Sequence, residues 1–599
     1  MNYIKQSIWA FAAIALVACS SDDDKDTTES LTPVENTSTS FSATIETGNS
    51  GSSKATRTTL ITDADVPYPV WSSGDQLHIY NATTPANALF DLKSNEYVGQ
   101  RQGVFDGTIT KNAGDKFFAL YCSTLTGTGA PTLTASNGSA TISATIPSAL
   151  VDYTAGFHPE YHFMTGYTTE NTFKLKNAMS LIKINLADNN YANFAIRKIH
   201  FKAINGENIA GTFTASIGDD GTIGTPSITS GGSSEIVISN SDGSALATGV
   251  YYISVLPATL TGGFTLTFEN TEDGAIYERS NTKANYTIGK SEIINLGSFT
   301  AQACAKEAYV DLGLTNSEGK SILWCVENIY DDGFTDENSF YSWGETSVKA
   351  NQTKVDKCKY YSWYYDYGIG EGSSNSDITK NLNKRCYKYG LGPGALNDAA
   401  DAENRYEFIY SYYIAGIFQR TQYGLLLKYN SYSTYGGGTI TDWGSGVTDG
   451  KTVLEVADDA AYQKSNGKWR IPTSADFETL INSSTTIDKN NQFVHSDRPL
   501  VAGPAAGSNN TKYKFKNRTT GHYIILPLKG YRFRSKESES NDNPKNTTYG
   551  YYWTRNLASE SADSYKAKAL KVDVVASESG NLFNGERAAG LMIRGVMYR

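Results

Sequence analysis

The segment Gly263-Phe264-Thr265-Leu266-Thr267-Phe268 alternates apolar and polar residues along its whole length. A period of two places the apolar side chains on one face of a β-strand and the polar side chains on the other. Shorter runs of the same kind, separated by clusters of Gly, Asn, Asp and Ser, occur at 76–80, 183–186, 196–201 and 251–256. Strands at this spacing predict β-sandwiches, and residues 41–300 have room for two of ordinary size.

The composition agrees with a mainly β protein and excludes several function classes. The 599 residues exceed the size of one compact core, so more than one domain is expected. Tyr and Phe, with 40 and 24 residues, far outnumber Met with 5, and aromatic residues suit pleated sheets. A net charge of -10 argues against nucleic acid as a partner, because phosphate binding needs a basic surface.

The first residues predict export and a lipid anchor. Lys5 precedes an apolar stretch from Ile8 to Val17, which is short for a membrane span but fits a signal peptide. The sequence Leu16-Val17-Ala18-Cys19 resembles the lipobox of bacterial lipoproteins, which implies a signal peptide of residues 1–18 and a diacylated Cys19. The acidic run that follows resembles the surface-export signal of Bacteroidota lipoproteins, and residues 19–40 are typical of a flexible acidic tether.

A series of motifs lies in the first half of the chain, in this order: Lys54-Ala55-Thr56-Arg57-Thr58, Trp71-Ser72-Ser73-Gly74-Asp75, Ile146-Pro147 with Met164-Thr165-Gly166, Phe173-Lys174-Leu175-Lys176-Asn177, Ile209-Ala210-Gly211-Thr212-Phe213 and Tyr251-Tyr252-Ile253-Ser254-Val255-Leu256-Pro257. Their succession resembles the fimbrillin-like surface lipoproteins of Bacteroidota. The resemblance implies two transthyretin-like β-sandwiches that polymerise with other fimbrial subunits. A partner's strand would fill a groove left when an N-terminal strand is removed by cleavage after an Arg.

Arg57 stands at the position of that cleavable Arg, and an ordinary loop Arg is the alternative. The segment from Phe41 to Thr47 alternates as the removable first strand would. Polymerising subunits of the family end with a donor strand, whereas this sequence continues from residue 300 to residue 599. The departure favours a terminal or accessory position over a stalk position.

The second half carries a different series: Tyr309-Val310-Asp311-Leu312-Gly313-Leu314, Ile322-Leu323-Trp324-Cys325, Phe340-Tyr341-Ser342-Trp343-Gly344-Glu345-Thr346, Trp469-Arg470-Ile471-Pro472-Thr473, Leu526-Pro527-Leu528-Lys529-Gly530-Tyr531-Arg532, Tyr552-Trp553-Thr554 and Ile593-Arg594-Gly595-Val596. It resembles the Fibrobacter succinogenes major paralogous domain, which implies an α+β fold related to C-type lectins over residues 305–599. Thr473-Ser474-Ala475-Asp476 is a capping-box pattern that predicts a helix with Phe477, Leu480 and Ile481 on its buried face. The apolar spacing across residues 453–462 predicts a second helix.

An aromatic run in this half is the candidate ligand-contact surface. Tyr361, Trp363 and Tyr364 stand in a dense cluster of rings, and exposed rings can stack on a sugar or anchor a protein partner. The ligand would be a glycan or a protein of a host or bacterial surface. The alternative is that these rings fill a core.

Catalytic and metal sites have little support in the sequence, so we expect no catalytic residue, no metal and no cofactor. His158 and His162 have an i, i+4 spacing, but Pro159 argues against a shared helical face and favours a turn. Besides Cys19, five cysteines remain at 122, 304, 325, 358 and 386. One or two disulfides among the last four fit an oxidising envelope, and the pairing stays open.

These patterns together predict a non-enzymatic lipoprotein anchored in the outer membrane at the cell surface or in a fimbrium. Its expected role is that of a fimbrial tip or accessory adhesin that binds its ligand through residues 305–599. Two alternatives are a monomeric glycan-binding lipoprotein that captures polysaccharide and an envelope enzyme.

Overall fold

The computed structural model describes residues 38–46, 59–63, 66–127, 129–331, 334–341, 343–346, 409–413, 422–425, 429, 451–486, 497–505, 508, 511–531, 548–558, 566–573, 580–587 and 589–599. Strands predominate in these residues, which confirms the mainly β fold class predicted from the alternating runs. None of the helices in these ranges is both long enough and apolar enough to cross a bilayer.

The first part of the described chain contains twelve strands: β1 (Ser38–Ile45), β2 (Thr59–Asp63), β3 (Val66–Val70), β4 (Gln76–Asn81), β5 (Ala86–Leu92), β6 (Gln102–Thr108), β7 (Phe117–Tyr121), β8 (Thr132–Ser136), β9 (Ser139–Ile146), β10 (Ala149–Val151), β11 (Met164–Thr168) and β12 (Thr172–Asn177). Seven of them form a closed barrel in the order β1-β12-β11-β7-β4-β5-β6, with β6 pairing back to β1. The first of the two predicted sandwiches is thus a closed sheet. Its interior is filled by alternate residues of each strand, among them Phe41, Phe90, Phe105, Phe117 and Phe173.

The second part contributes eleven strands: β13 (Ser180–Asp188), β14 (Lys198–Ala203), β15 (Ala210–Ile217), β16 (Ser227–Ser233), β17 (Glu235–Ser239), β18 (Gly249–Val255), β19 (Ala258–Leu260), β20 (Phe264–Asn270), β21 (Ala275–Asn281), β22 (Tyr286–Ile288) and β23 (Ile293–Thr300). A three-stranded sheet, β18-β13-β23, faces the run β17-β14-β20-β21 of a larger sheet. Isoleucines and phenylalanines from both sheets share one core, and the Phe268 and Phe299 rings meet across it at 4.8 Å. Strands β8, β9, β15 and β16 form a separate sheet.

The remaining described elements are α1 (Ala301–Glu307), β24 (Tyr309–Thr315), β25 (Ser321–Asn328), β26 (Ile409–Tyr413), β27 (Gln422–Leu425), α2 (Ala460–Lys464), α3 (Ser474–Asn482), β28 (Ser484–Thr486), β29 (Leu500–Pro504), β30 (Lys512–Asn517), β31 (Tyr523–Pro527), β32 (Tyr549–Leu557), β33 (Lys566–Asp573), β34 (Asn581–Glu586) and β35 (Arg594–Tyr598). They include a four-stranded sheet, β28-β29-β30-β31, and a three-stranded sheet, β32-β33-β34. The predicted lectin-like arrangement of this half stays a prediction.

One sheet runs through the predicted boundary between residues 300 and 305. Its order is β10-β17-β14-β20-β21-β24-β25-β35, so β21 from the first half pairs with β24 from the second. The pairing joins Ala275 to Val310 and Ile276 to Tyr309. The helix α1 connects β23 to β24 at this point, and its Cys304 and Ala305 are buried in the common core.

A buried carboxylate ties the two halves together beside this sheet. Glu327 of β25 is fully buried. It accepts hydrogen bonds from the Asn193 amide at 2.9 Å, from the Tyr330 hydroxyl at 2.9 Å and from the Tyr191 hydroxyl. Since Tyr191 and Asn193 lie between β13 and β14, this carboxylate joins loops from both sides of the predicted boundary.

The helix predicted from the capping box is confirmed. Thr473 caps α3 by accepting from the Asp476 backbone N–H, and Asp476 accepts in return from the Thr473 backbone N–H. Phe477 and Leu480 are fully buried, as their spacing requires, whereas Ile481, the third residue predicted for this face, is half-buried.

The helix predicted across residues 453–462 is wrong in its extent. The segment contains a 3-10 turn, Val456–Asp458, and then only the five-residue α2. Asp459 ends the turn and caps α2, because its carboxylate accepts from the Tyr462 N–H and also from the Ile471 N–H. An Asp at this point competes with helical hydrogen bonding, and Val453 and Val456 are left 40% and 46% exposed.

Three cysteines lie in the described residues, and all three are unpaired and buried. Burial raises the pKa of Cys122 to about 11 and the pKa values of Cys304 and Cys325 to about 12. These thiols therefore stay protonated and act as small apolar core residues. Cys358 and Cys386 lie outside the described residues, so of the disulfides considered only a Cys358–Cys386 pair stays open.

Candidate strand-exchange site

The strand β1 closes the barrel and is paired on both of its edges. It runs antiparallel to β6, from the pair Ser38–Thr108 to the pair Thr44–Gln102. It runs parallel to β12, where the Ser42 N–H donates to the Asn171 carbonyl at 2.8 Å and the Glu46 N–H to the Leu175 carbonyl at 2.9 Å. Removing β1 would therefore leave two strand edges without partners.

The inward face of β1 is a continuous apolar strip. Phe41, Ala43 and Ile45 are all fully buried. The Phe41 ring lies 5.4 Å from the Phe90 ring, 5.2 Å from that of Phe117 and 5.3 Å from that of Phe173. Burial of Phe41 and Ile45 contributes about 3–6 kcal/mol together, which makes β1 a large part of this small core.

The outward face of β1 fixes the register. The Ser40 hydroxyl donates to the Asp106 carboxylate at 2.6 Å, and the Ser42 and Thr172 hydroxyls are 3.0 Å apart. The hydrogen bond from Ser40, with the nearby Lys93 ammonium, lowers the pKa of Asp106. These contacts are largely exposed and add little stability, but a slip by one residue would break them and would turn Phe41 outward.

Two glycines of β6 give β1 its close approach to the core. Gly103 pairs with Ala43, and Gly107 pairs with Thr39. A β-carbon on Gly103 would lie 2.9 Å from both Trp71 and Leu92, and one on Gly107 would lie 2.6 Å from the Phe90 ring. A larger residue at either position would push these rings out of the space beneath β1.

The sequence predicted this strand but not its partners. The alternation at Phe41 is local, whereas the parallel pairing with β12 joins residues more than a hundred positions apart and leaves no local pattern. Cys19 and Arg57, the predicted lipid-attachment and cleavage positions, lie outside the described residues, the first before β1 and the second after it. The three candidate ligand contacts, Tyr361, Trp363 and Tyr364, also lie outside them.

Four tryptophans that are described in the second half are core residues. The indoles of Trp324, Trp343, Trp469 and Trp553 are at most 1% exposed. The Trp343 indole N–H donates to the Thr554 carbonyl and the Trp553 indole N–H to the Tyr341 carbonyl, both at 2.7 Å. These four indoles lie outside the aromatic run of Tyr361, Trp363 and Tyr364, for which both interpretations stay predictions.

The two spaced histidines do not share a site. A 3-10 turn, Pro159–Tyr161, separates them, in agreement with the predicted turn. His158 lies 3.1 Å from the Glu160 carboxylate, whereas the buried His162 lies 2.8 Å from the Asn177 amide oxygen. Within the described ranges, no group of three or more His, Cys, Asp or Glu side chains is arranged to hold a metal ion.

Comparison with known proteins gives structural likenesses of low sequence identity. No family model and no curated protein matches the sequence. A candidate cell adhesion protein of Bacteroides uniformis is 15% identical, over 39% of this chain and 89% of its own, with a TM-score of 0.27. The tip fimbrial protein Mfa3 of Porphyromonas gingivalis, with a C-terminal truncation, is 10% identical over 37% of this chain and 89% of its own, with a TM-score of 0.23. A fimbrial protein of Bacteroides ovatus is 12% identical over 93% of this chain and 98% of its own, with a TM-score of 0.20.

Proposed function

We propose that this protein is a cell-surface fimbrial subunit that accepts a strand from another subunit in place of β1. The observation that carries the proposal is the position of β1, which is paired on both edges and supplies a fully buried apolar strip to the barrel. A strand in such a position is a replaceable part, because a foreign strand with the same alternation can supply both ladders and the same side chains.

Cleavage after Arg57 is the proposed trigger. It would separate β1 from β2 and from the rest of the chain, so that β1 would be held by non-covalent contacts alone. The exposed groove would then present the edges of β6 and β12 and the rings of Phe90, Phe117 and Phe173. Main-chain hydrogen bonds to a donated strand would supply affinity, and pockets for alternate side chains would supply specificity.

Diacylation of Cys19 is the proposed anchor before cleavage. Two acyl chains suffice for stable membrane attachment, so the uncut chain would stay on the outer membrane. Cleavage after Arg57 would detach the barrel from Cys19. One molecule could therefore not be assembled into the fimbrium and still be held in the membrane by its own lipid.

A terminal or accessory position in the fimbrium fits the second half best. The strand β35 is held in the eight-stranded sheet by β25, with Arg594 and Val596 fully buried, so it would have to leave that sheet to be donated. We propose that residues 305–599 instead carry the adhesive contact, with Tyr361, Trp363 and Tyr364 as candidates for stacking on a glycan or a partner protein.

The decisive experiment compares Arg57→Ala with Lys54→Ala in cells. The Lys54 variant is the matched control, since it removes a neighbouring cation from the same segment. We expect Arg57→Ala to keep the chain out of surface polymers and at its uncut mass, while Lys54→Ala behaves as the parent. Entry of the Arg57 variant into polymers at the parent's level would overturn the proposal.

A further inference from the structure

The second part of the chain, β13 to β23, has two facing sheets of unequal width. A groove lies where the narrower sheet ends. The three-stranded sheet ends at β23, and residues of β23 line the groove together with residues of β20 and β21 of the opposite sheet. The resulting groove has a volume of about 500 Å³. Its lining includes Phe264 and Leu266 of β20, Arg279 of β21, Lys283, and residues 294–296 of β23.

The edge of β23 beside this groove is open. Among the described residues, β23 pairs only with β13, through a parallel ladder from Leu181–Ile293 to Asp188–Thr300 whose register shifts between Asn295 and Ser298 and again between Phe299 and Thr300. Asn295 on this edge is exposed, and Ile294 and Leu296 are half-buried. An extended segment that pairs with β23 would widen the narrow sheet to four strands and would cover β20 and β21.

The apolar residues beneath the groove are already covered, and the exposed side chains that line it include Arg279, Lys283 and Asn295. Leu266 is 1% exposed and Phe264 is 5% exposed. Arg279 pairs with Leu266 across the β20–β21 ladder, so its side chain leaves the same face of the sheet and enters the groove. Among the described residues, neither the Arg279 guanidinium nor the Lys283 ammonium has a carboxylate within ion-pair distance.

These cations decide which segment can enter. A neutral strand would bury the Arg279 guanidinium without a counter-charge, which is costly, and an inward charge on an open edge is a known protection against unwanted pairing. A second copy of β21 would bring a like charge to the same place. A strand with a carboxylate on its inward face would instead make a charge-assisted hydrogen bond with Arg279, protected from solvent by the groove.

We propose that the groove between β21 and β23 is a second docking site, which takes an extended acidic segment of another polypeptide as an added strand beside β23. The site is separate from the barrel groove, and it is open while β1 is still in place. Its occupant pairs through its backbone with β23 and places a carboxylate on Arg279.

Fluorescence anisotropy with short labelled peptides tests this inference on the full, uncut chain. The probe alternates Val with Glu, and two companion peptides carry Gln or Lys in place of Glu. We expect the Glu peptide to bind at least about tenfold more tightly than the Gln peptide. Equal affinity of the Glu and Gln peptides, or no binding of the Glu peptide, would overturn the proposal.

A charge exchange separates the specific contact from general attraction. Arg279→Glu should lower the affinity for the Glu peptide by about tenfold or more and should create binding of the Lys peptide. Lys202→Glu is the matched control, because Lys202 is an exposed residue of β14 in the same sheet and does not line the groove. If Lys202→Glu lowers the affinity for the Glu peptide as much as Arg279→Glu does, the peptide does not bind at the groove. Because cleavage at Arg57 is not needed, this result is independent of strand exchange in the barrel.

Discussion

Phe41 contacts three aromatic rings of the barrel, and each ring comes from a different strand. We expect Phe41→Ala to lower the free energy of unfolding by about 3–5 kcal/mol, since it leaves a cavity among rings that cannot collapse onto it. Ser38→Ala, at the exposed start of β1, is the control and should be neutral. Chemical denaturation followed by tryptophan fluorescence measures the difference, and a loss of less than about 1 kcal/mol for Phe41→Ala would contradict the assigned packing.

His200 provides a pH test at the same scale. Its ring lies 2.9 Å from the Glu235 carboxylate and 3.1 Å from that of Glu269. Burial lowers the pKa of His200, but the hydrogen bonds to Glu269 and Glu235 raise this pKa by more than burial lowers it. The pKa of His200 therefore lies above its ordinary value of 6.5. A raised histidine pKa stabilises the fold fully below the unfolded pKa, and this stabilisation is lost as the pH rises through the folded pKa.

We therefore expect the stability advantage of the parent over His200→Gln to shrink as the pH rises from about 6 towards 9. His78→Gln gives the contrasting case, because burial lowers the pKa of His78 and the parent should instead lose stability as the pH falls. Thermal unfolding in a series of buffers measures both slopes. A parent-to-variant difference at His200 that is constant with pH would show that its ring is not held between two carboxylates.

The behaviour of β1 as a separable element can be tested with a peptide. A chain that begins at Thr58 lacks β1, and a synthetic peptide of residues 38–46 should bind to it and raise its melting temperature, because the peptide restores both ladders. The same peptide with Phe41→Ala is the control and should bind at least tenfold more weakly. Equal binding of the two peptides would mean that the groove does not recognise the apolar strip.

The elements that the sequence predicted are those with a local pattern. Alternation at residues 263–268 and 41–47 indicated the strands that the structure has at Phe264–Asn270 and Ser38–Ile45, and the capping box indicated α3. The wrong extent of the helix predicted across residues 453–462 also has a local cause, since Asp459 interrupts an apolar spacing that otherwise suits a helix. The pairings of β1 with β12 and of β21 with β24 had no such signal, because long-range register depends on tertiary packing and not on neighbouring residues.

At the scale of the whole molecule, the eight-stranded sheet couples the two halves, because it contains strands from before and after α1. We expect calorimetry to show that the second part of the chain, β13 to β23, and the region after residue 305 unfold in one transition. Their separation would expose the paired edges of β21 and β24 and the Glu327 carboxylate together. Two resolved transitions would instead support independent folding on the two sides of the predicted boundary.

Tyr191→Phe tests the coupling directly. It removes one of three hydrogen bonds to the fully buried Glu327 carboxylate, at an expected cost of about 1.5–3 kcal/mol. Tyr252→Phe is the control, because its hydroxyl has no hydrogen-bond partner among the described residues. If the two variants melt at the same temperature, the carboxylate does not hold the halves together.

The direction of β1 also has a consequence for any assembly built by strand replacement. A donated strand that reproduces the parallel ladder with β12 and the antiparallel ladder with β6 must run in the same direction as β1. Each joint connects the donated strand of one subunit to the groove of the next, so it is heterologous and can repeat along a chain of subunits. A filament made in this way has unlike ends, grows by addition at a defined end, and carries every subunit in the same sense along its axis.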